Sequence, residues 1–269
     1  MRINGYGVYR LMVDTGSERT IIAADIAERL ALPRGRKVLV QGIVRGEPAC
    51  LVEIRQLEMG SLVCPRLEVP TLPRVMLNGD GYLGLDVLDG RRVIFDFGAR
   101  TLTILRPKGF FSAFWTRNDE VRVPTLGDSG RLRATDCVID GIHAAAFLDT
   151  GAEVSVINQA LYAALQRHNP VSTLRTTEAL TGVTGGSVVG ITTLLARITL
   201  GELVLTYATA VVADLPVFSI WGLSKQPALL IGMDCLRRCT RVSIDYGRKE
   251  LRFEITSSQI PQGMLSLAS

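Results

Sequence analysis

The chain has 269 residues, 47% of them hydrophobic, and carries a net charge of +4 at pH 7. This length accommodates two lobes of ordinary domain size, each large enough to bury a core. The small net charge, with no Lys/Arg-rich run and no aromatic RNA-binding signature, argues against nucleic acid as a partner, and no apolar stretch approaches the roughly 18 residues of a membrane span.

The first distinctive stretch is MVDTGSERTII, residues 12–22, in which an apolar run ends at Asp14 and continues with Thr15, Gly16 and Ser17. As local structure, Asp-Thr-Gly is a good tight turn, because Asp hydrogen-bonds its own backbone and Gly adopts positive φ. A buried acid beside a glycine turn is also a candidate catalytic group. One copy of so short a motif leaves both interpretations open.

Short helices and strands follow this turn. Apolar positions at roughly helical spacing predict a helix at AADIAERLA, and a shorter one is predicted at LDVLDG. Strands are predicted at runs rich in Val, Ile, Leu and Thr that Gly, Pro and Asp interrupt: VLVQGIV, ACLVEIRQLEM, RVIFDF and TLTIL. This half of the chain is therefore predicted to be mostly β.

Residues 108–131 carry Pro, Gly and mixed charge, as a linker between lobes does. They contain an aromatic cluster of Phe110, Phe111, Phe114 and Trp115. Such a cluster marks either a membrane or partner surface or, more commonly, a plug in the seam between two lobes. The same segment contains GDSG, which resembles a serine-protease nucleophile loop, but neither of the two histidines has a supporting context, so this interpretation is rejected.

The second half of the chain repeats the first. FLDTGAEVSVI, residues 147–157, brings a second turn at Asp149, Thr150 and Gly151, followed by Ala152. Further on, LIGMDCL matches YLGLDVL, and VSIDYGRKELRF matches VIFDFGARTLTI. The predicted strands RATDCVI, LLARITL and LVLTYATAVV and the predicted helices NQALYAALQRH and MDCLRRC complete the second copy. Such a duplication indicates two tandem lobes built from one structural unit.

The duplication sets the predicted domain boundaries. We predict an N-terminal lobe at residues 1–107, an inter-lobe linker at 108–131, a C-terminal lobe at 132–257 and a C-terminal tail at 258–269. The second copy has a full strand and turn before its DTG, whereas the first begins at MRINGYGVYRLMV. We therefore expect the first strand of the N-terminal lobe to be truncated and the natural product to begin upstream of Met1.

The sequence gives no sign of a disulfide framework, a metal site or a secretion signal. The five cysteines have neither metal-ligand spacing nor an even count, which favours isolated buried thiols: Cys50, Cys64, Cys137, Cys235 and Cys239. The sequence has no HExxH and no paired CxxC motif, so no metal and no other cofactor is predicted. No secretion signal is visible, which leaves the localisation open; an extracytoplasmic location would require that an upstream signal or anchor was removed.

The paired motifs carry a family resemblance. Two Asp-Thr-Gly turns, each preceded by apolar residues and followed much later by two apolar residues and a glycine, resemble the aspartic proteases. The short lobes and the sequence IGMDCL resemble the retroviral-type (retropepsin) branch more than pepsin, so the chain looks like a retropepsin homodimer fused into one polypeptide. The resemblance covers nearly the whole chain. It implies an all-β fold of two pseudo-symmetric acid-protease lobes, a monomer and a peptide or protein substrate.

The resemblance implies that Asp14 and Asp149 form a catalytic dyad. Hydrolysis of an amide by water requires one group that takes a proton and another that gives one. Two carboxylates that share a proton do both, and like charges about 3 Å apart separate the two apparent pKa values; aspartic proteases are the standard example of this effect. Either pKa value belongs to the pair.

The resemblance also assigns roles to residues beside the two acids. Thr15 and Thr150 correspond to the threonines that, in the family, hydrogen-bond across the lobe interface and hold the two loops together. Gly16 and Gly151 permit the turn and let backbone N–H groups approach the carboxylates.

One flanking position differs between the copies. Ser17 is expected to donate a hydrogen bond to Asp14, whereas Ala152 cannot do so for Asp149. This difference predicts two unequal acids. A shared proton implies a mildly acidic optimum, which the unequal surroundings would move.

The late glycines have an implied structural role. Gly84 and Gly232 are expected to let a strand pass closely beneath each DTG loop. Asp86 and Asp234 are expected to cap the short helices that follow.

Between each DTG turn and its late glycine, the family places a hairpin flap that closes over the substrate. The matching segments are residues 38–52 and 178–192. Their predicted tips are Gln41, Gly42 and Ile43 in the first segment and Thr181, Gly182 and Val183 in the second. An extended peptide is expected to be held there by strand addition. Glycine content alone does not separate this interpretation from two ordinary hairpins.

Two hypotheses follow from the sequence. The first is a single-chain aspartic endopeptidase that hydrolyses extended polypeptides with Asp14 and Asp149 as its dyad. The second is a peptide-binding or scaffold module that keeps the fold without useful catalysis. The presence of both aspartates disfavours the second hypothesis.

Overall fold

A computed structural model describes residues 1–106, 120–128, 131–168, 173–182 and 184–255. The predicted aromatic cluster, the predicted C-terminal tail and Val183 lie outside these residues. Within them the chain consists mainly of β-strands with a few short helices, which confirms the predicted all-β class. Over the described ranges, every helix is too short or too polar to cross a membrane.

The first lobe is built around one long hairpin. Its strands are β1 (Arg2–Ile3), β2 (Leu11–Val13), β3 (Ile21–Ala23), β4 (Arg34–Gln41), β5 (Gly46–Met59), β6 (Leu62–Leu72), β7 (Gly81–Leu83), β8 (Arg92–Asp96) and β9 (Thr101–Leu105). Its helices are α1 (Ala24–Arg29) and α2 (Leu85–Leu88), with a 3-10 turn at Arg74–Met76. β5 and β6 pair antiparallel, and Gly60 turns the chain between them at a φ of 57°.

The sheet order of the first lobe positions its DTG turn. Seven strands pair in the order β1-β5-β6-β3-β7-β2, with β4 paired to β5. β2 and β7 run parallel, with Val13 opposite Leu83. Since parallel strands end at the same edge of a sheet, Asp14 and Gly84 lie side by side beyond these two ends.

The second lobe repeats this arrangement. Its strands are β10 (Glu120–Asp128), β11 (Arg131–Ala134), β12 (Cys137–Ile139), β13 (Ile142–His143), β14 (Ala145–Leu148), β15 (Val156–Ile157), β16 (Thr173–Thr181), β17 (Ser187–Leu200), β18 (Leu203–Val212), β19 (Ala228–Ile231), β20 (Arg241–Asp245) and β21 (Glu250–Glu254). Its helices are α3 (Gln159–His168), α4 (Pro216–Ile220) and α5 (Met233–Leu236). β14 and β19 run parallel, with Leu148 opposite Ile231, which places the second DTG turn beside Gly232.

A shared sheet joins the two lobes in the order β9-β8-β20-β21-β10. β8 and β20 pair antiparallel across the lobe boundary, with Asp96 opposite Arg241. The guanidinium of Arg241 lies 2.6 Å from a carboxylate oxygen of Asp96 and 2.9 Å from one of Glu254. Strand β10, which also pairs with β11, is formed by residues 120–128 of the segment predicted as a linker.

One hydrophobic core extends from the first lobe through the shared sheet into the second. Val93, Val242 and Leu251 of the shared sheet are fully buried in it. A smaller cluster lies in the second lobe, where the rings of Phe147 and Trp221 are 4.6 Å apart. Burial of such side chains stabilises the fold by roughly 1.5 to 3 kcal/mol each.

Most predicted elements are confirmed, and one strand is divided. The predicted helices after each DTG turn correspond to α1 and α3. The predicted single strand RATDCVI is two strands, β11 and β12, because the chain turns between them and β11 pairs with β14 while β12 pairs with β17.

All five cysteines are free thiols, and four of them are buried. Burial raises the pKa of Cys137 to about 12 and that of Cys235 to about 11. These thiols are therefore protonated and unreactive at neutral pH. The prediction of isolated buried thiols is confirmed except at Cys50, which is half-buried. In the described part of the chain, the structure holds no cluster of metal-ligating side chains.

Candidate active site

Each DTG turn begins where an apolar strand ends between paired neighbours. The amide of Asp14 donates to the carbonyl oxygen of Leu83 at 3.0 Å, and the amide of Asp149 donates to that of Ile231 at 3.0 Å. These bonds extend the β2–β7 and β14–β19 pairings by one residue. Both aspartates are therefore held by the regular sheet rather than by a free loop.

The two carboxyl groups meet at the lobe interface, each lying against the glycine of the opposite DTG turn. Within its own loop, Asp14 Oδ1 accepts from the amides of Gly16 at 2.9 Å and Ser17 at 3.1 Å. Asp149 Oδ1 accepts from the amide of Gly151 at 2.8 Å. Backbone N–H groups thus orient both acids without any charged partner in the same loop.

Glycine is required at Gly16 and Gly151 by the closeness of the opposite acid. A Cβ atom on Gly16 would lie 2.7 Å from the carboxyl group of Asp149. A Cβ atom on Gly151 would lie 2.7 Å from that of Asp14. Each lobe therefore supplies the space that the other lobe's acid occupies.

The threonines form the reciprocal contact that the family resemblance implies. The amide of Thr15 donates to Thr150 Oγ1 at 3.2 Å, and the amide of Thr150 donates to Thr15 Oγ1 at 3.1 Å. The hydroxyl of Thr15 in turn donates to the carbonyl oxygen of Leu148, and that of Thr150 to the carbonyl oxygen of Val13. These four buried bonds fix the two loops to each other.

Burial changes the acidity of the pair. It raises the pKa of Asp14 well above its ordinary value, and the nearby charge of Asp149 raises it further, against the lowering effect of the amides of Gly16 and Ser17. Burial also raises the pKa of Asp149, against the lowering effect of the amide of Gly151. Because two adjacent carboxylates cannot both ionise easily, the pair holds one proton to higher pH than isolated acids do.

The late glycines lie against the backbone beyond each DTG turn. A Cβ atom on Gly84 would lie 2.4 Å from the carbonyl carbon of Arg19, and one on Gly232 would lie 2.6 Å from that of Val154. The amide of Gly84 donates to Thr20 Oγ1 at 3.1 Å, and that of Gly232 donates to Ser155 Oγ at 3.0 Å. This close approach occurs in both lobes.

Asp86 and Asp234 do not occupy the N-cap positions, so the prediction that they cap the helices is wrong in that respect. The N-cap residues of α2 and α5 are the two late glycines, which make no side-chain cap bond. Within the first turn of α5, the amide of Cys235 donates to Asp234 Oδ1 at 2.8 Å. Asp86 Oδ1 instead accepts from the amide and the hydroxyl of Thr20. The carboxylate has this position because it lies in the first turn of the helix, where it reaches back to the buried hydroxyl beneath it.

Asp234 makes the matching contacts in the second lobe. Its Oδ2 accepts from the amide of Ser155 at 3.0 Å and its Oδ1 from the hydroxyl at 2.7 Å. Two buried hydroxyls, those of Thr20 and Ser155, therefore connect each acidic helix to its late glycine. Sequence reasoning missed this network. The two copies do contain matching pairs of a hydroxyl residue and an acid, and this recurrence could have indicated the contact.

The predicted role of the Ser17 hydroxyl is also wrong. It donates to the carbonyl oxygen of Arg19 at 3.1 Å, and Asp14 is bonded by the backbone amide of Ser17 instead. Two loop amides, those of Gly16 and Ser17, already bond Asp14 Oδ1, and the hydroxyl bonds the backbone two residues further on instead. Neither aspartate therefore receives a hydrogen bond from a hydroxyl at this position, and the difference between Ser17 and Ala152 does not make the two acids unequal.

An arginine makes the surroundings of the two acids unequal. Arg131 pairs with Glu18 at 2.6 Å and lies over the ring of Trp221 at 5.1 Å from its centre. Its charge lowers the pKa of Asp149, against the larger effect of burial. Sequence reasoning missed Arg131, since a contact between residues so far apart in the chain leaves no local pattern.

The predicted flaps are two hairpins that meet at their tips. The β4–β5 hairpin carries Gln41, Gly42 and Ile43, and the β16–β17 hairpin carries Thr181 and Gly182. Gln41 and Thr181 are exposed at the ends of their strands, whereas Gly182 is buried against Ile43. Val183, the third predicted residue of the second tip, lies outside the described residues.

Fold and site together define a class of protein. Two pseudo-symmetric β lobes each contribute a DTG turn to one carboxylate pair, as in acid proteases of the two-lobe type. A family model described as aspartyl protease matches residues 1–87 and 135–235. The chain belongs to the aspartyl protease family. A comparison with curated proteins finds none that matches it.

Proposed function

We propose that the chain is a retropepsin-like aspartic endopeptidase that hydrolyses peptide bonds of extended polypeptides, with Asp14 and Asp149 as its catalytic dyad. The observation that carries this proposal is the pair of carboxyl groups that lie together at the lobe interface, each against the glycine of the opposite DTG turn, beside the reciprocal threonines. An acid pair of no use to the protein would be costly to bury, because each charged form loses its hydration.

The proposed reaction uses the one proton on the pair. The ionised carboxylate takes a proton from water, the water oxygen bonds to the carbonyl carbon, and the protonated carboxyl gives its proton to the carbonyl oxygen. The proton taken from water is then delivered to the amide nitrogen, and as the C–N bond breaks the other carboxylate takes back a proton from a hydroxyl of the tetrahedral intermediate, which becomes the new carboxyl group. The dyad ends with one proton, as it began.

Substrate binding is assigned to the two hairpins. Gln41 and Thr181 end strands β4 and β16 beside the tips, where the backbone of an extended peptide would pair by strand addition. Since one chain carries both DTG turns, we propose that the protein acts as a monomer. The side chains next to the cleaved bond are proposed to be apolar by family analogy.

The test is cleavage of a mixed peptide library from mildly acidic to neutral pH by the wild type, Asp14→Asn and Asp149→Asn. We expect each substitution to reduce kcat by at least roughly a thousandfold, because an amide can neither take nor give the proton. Circular dichroism and thermal unfolding serve as the control for folding. A folded Asn variant with wild-type turnover contradicts the proposed dyad.

A statine-type transition-state mimic separates this function from the binding-module alternative. We expect the mimic to raise the melting temperature of the wild type and to block its cleavage of peptides. A mimic that raises the melting temperature of a protein that cleaves nothing would support the binding module instead.

A further inference from the structure

The tips of the two flap hairpins are joined by a pair of hydrogen bonds. Arg45 Nε donates to the carbonyl oxygen of Thr184 at 2.8 Å, and Thr184 Oγ1 donates to the carbonyl oxygen of Arg45 at 2.6 Å. Each residue thus donates with its side chain and accepts with its backbone. Thr184 is fully buried by this contact, although it lies at the end of a hairpin.

Glycines make room for the contact. A Cβ atom on Gly42 would lie 2.0 Å from Thr184 Oγ1. A Cβ atom on Gly182 would lie 3.0 Å from the side chain of Ile43. The two tips therefore interlock, and a side chain at either glycine would hold them apart.

The second tip also needs glycine for its backbone. Gly185 and Gly186 have φ values of 78° and 79°, which favour glycine. A Cβ atom on Gly185 would lie 2.7 Å from the guanidinium of Arg45. The glycine-rich sequence of this tip is thereby explained by its fit around one arginine of the other flap.

The contact is unsymmetrical although the lobes are pseudo-symmetric. In the matching tips QGIVRG and TGVTGG, Arg45 corresponds to Gly185, so only the first lobe supplies a long side chain. Glu47 lies 3.8 Å from the same guanidinium and keeps it near its own flap. A contact between equivalent segments lies at the pseudo-two-fold axis, as the contact between the two DTG loops does.

We propose that Arg45 and Thr184 form a latch that couples the two flaps, so that neither tip opens without the other. Both are positioning residues: they hold the closed arrangement of the flaps over a substrate and touch no reacting atom. The effect on substrate rests on the proposed function, whereas the coupling itself does not.

Amide hydrogen exchange of the full chain tests the coupling directly. Three amides report on the tips, because each donates within its own flap: Gly42 to the carbonyl oxygen of Arg45, Gly182 to that of Gly186, and Gly185 to that of Gly182. Thr184→Val removes one bond of the latch and keeps the branched shape. We expect it to speed exchange about tenfold in both flaps, including the unaltered first flap.

Two further variants make the result specific. Arg45→Ala removes the other bond and is expected to speed exchange about tenfold in both flaps. Arg36→Ala removes the same charge from an exposed position in β4 and is expected to leave both tips unchanged. Faster exchange in the altered flap alone, or in neither flap, overturns the latch.

A wedge at the interface provides an independent test. Gly42→Ala places a methyl group where Thr184 Oγ1 now lies, so it is expected to separate the tips and to speed exchange at Gly185 by at least about tenfold. Unchanged exchange at Gly185 in a folded Gly42→Ala protein also overturns the latch.

Peptide cleavage by the same variants separates the two proposals. We expect Thr184→Val to raise KM about tenfold and to change kcat less than about threefold, since the latch stabilises substrate and transition state alike. Coupled exchange in a protein that cleaves nothing overturns the proposed function and leaves the latch. Cleavage with uncoupled exchange overturns the latch and leaves the proposed function.

Discussion

The two lobes hold their acids with the same bonds but surround them with different charges. In each lobe a parallel strand pair, a threonine and a glycine amide fix the aspartate. Only the second lobe supplies Arg131, which lowers the pKa of Asp149. The comparison teaches that duplication preserved the geometry of the site and left its electrostatics free to diverge.

Among the tests that compare the two lobes, the largest expected effect concerns the equivalence of the two DTG loops. Gly16→Ala and Gly151→Ala each place a methyl group 2.7 Å from the carboxyl carbon of the opposite acid. We expect each to reduce kcat/KM about a hundredfold, because small displacements of reacting groups are that costly. Assays of peptide cleavage measure kcat/KM. A clearly larger loss in one of the two variants would show that the two DTG loops are not equivalent.

Gly60→Ala is the matched control for these substitutions. Its Cβ atom would contact no heavy atom within 4 Å, but Gly60 has a φ of 57°. We expect this variant to lose about 1 kcal/mol of stability and to keep its activity. A loss of activity here would attribute the effect at Gly16 to instability.

The acid–hydroxyl networks allow a finer comparison of the lobes. Asp86 binds both donors of Thr20 through Oδ1, whereas Asp234 uses Oδ2 for the amide and Oδ1 for the hydroxyl of Ser155. Asn has one acceptor oxygen, so Asp234→Asn leaves a donor of Ser155 unsatisfied and Asp86→Asn does not. We expect Asp234→Asn to cost about 1 to 2 kcal/mol more than Asp86→Asn in urea unfolding.

The Ala variants at the same positions complete this test. Asp86→Ala and Asp234→Ala remove every acceptor oxygen and are expected to cost about 2 kcal/mol each. Equal costs for the two Asn variants, with these losses for the Ala variants, would mean that the lobes do not differ in this network.

The smallest expected effect concerns the charge asymmetry. Arg131→Met removes a cation that favours the ionised form of Asp149 and leaves Glu18 without its partner. Both changes raise the pKa at which the pair first ionises, so the acid limb of the kcat/KM profile is expected to move to higher pH. Profiles of the two proteins measure this shift.

Arg122→Met removes the same charge from an exposed position in β10 and is expected to leave the acid limb in place. An acid limb of Arg131→Met that stays fixed, or moves to lower pH, would contradict the assigned asymmetry.

The features that sequence reasoning predicted share one property: they occur twice. The DTG turns, the late glycines and the helices after each turn recur with the same residue types, so the repeat identified the two lobes and brought their acids together. Recurrence also made the reciprocal threonine contact predictable, once the family resemblance was recognised.

Two of the features that were missed arise where the lobes touch. Arg131 pairs with Glu18 across the interface, and Arg45 with Thr184, and neither contact has a local spacing that marks it. The Ser17 hydroxyl was misassigned because the backbone amide of the same residue fills that role. Asp86 was misassigned because a residue in a first helical turn has two places to bond, the helix end and the hydroxyl beneath it.

The sheet shared by the two lobes decides how the site responds to dilution. When two separate chains supply one acid each, the fraction of assembled sites falls as the protein concentration falls. Here the shared sheet is built from β8 and β9 of one lobe and β20, β21 and β10 of the other, all in a single chain. Because the chain connects the two lobes, the effective concentration of one lobe around the other does not depend on the protein concentration. The two acids therefore stay together however dilute the protein becomes.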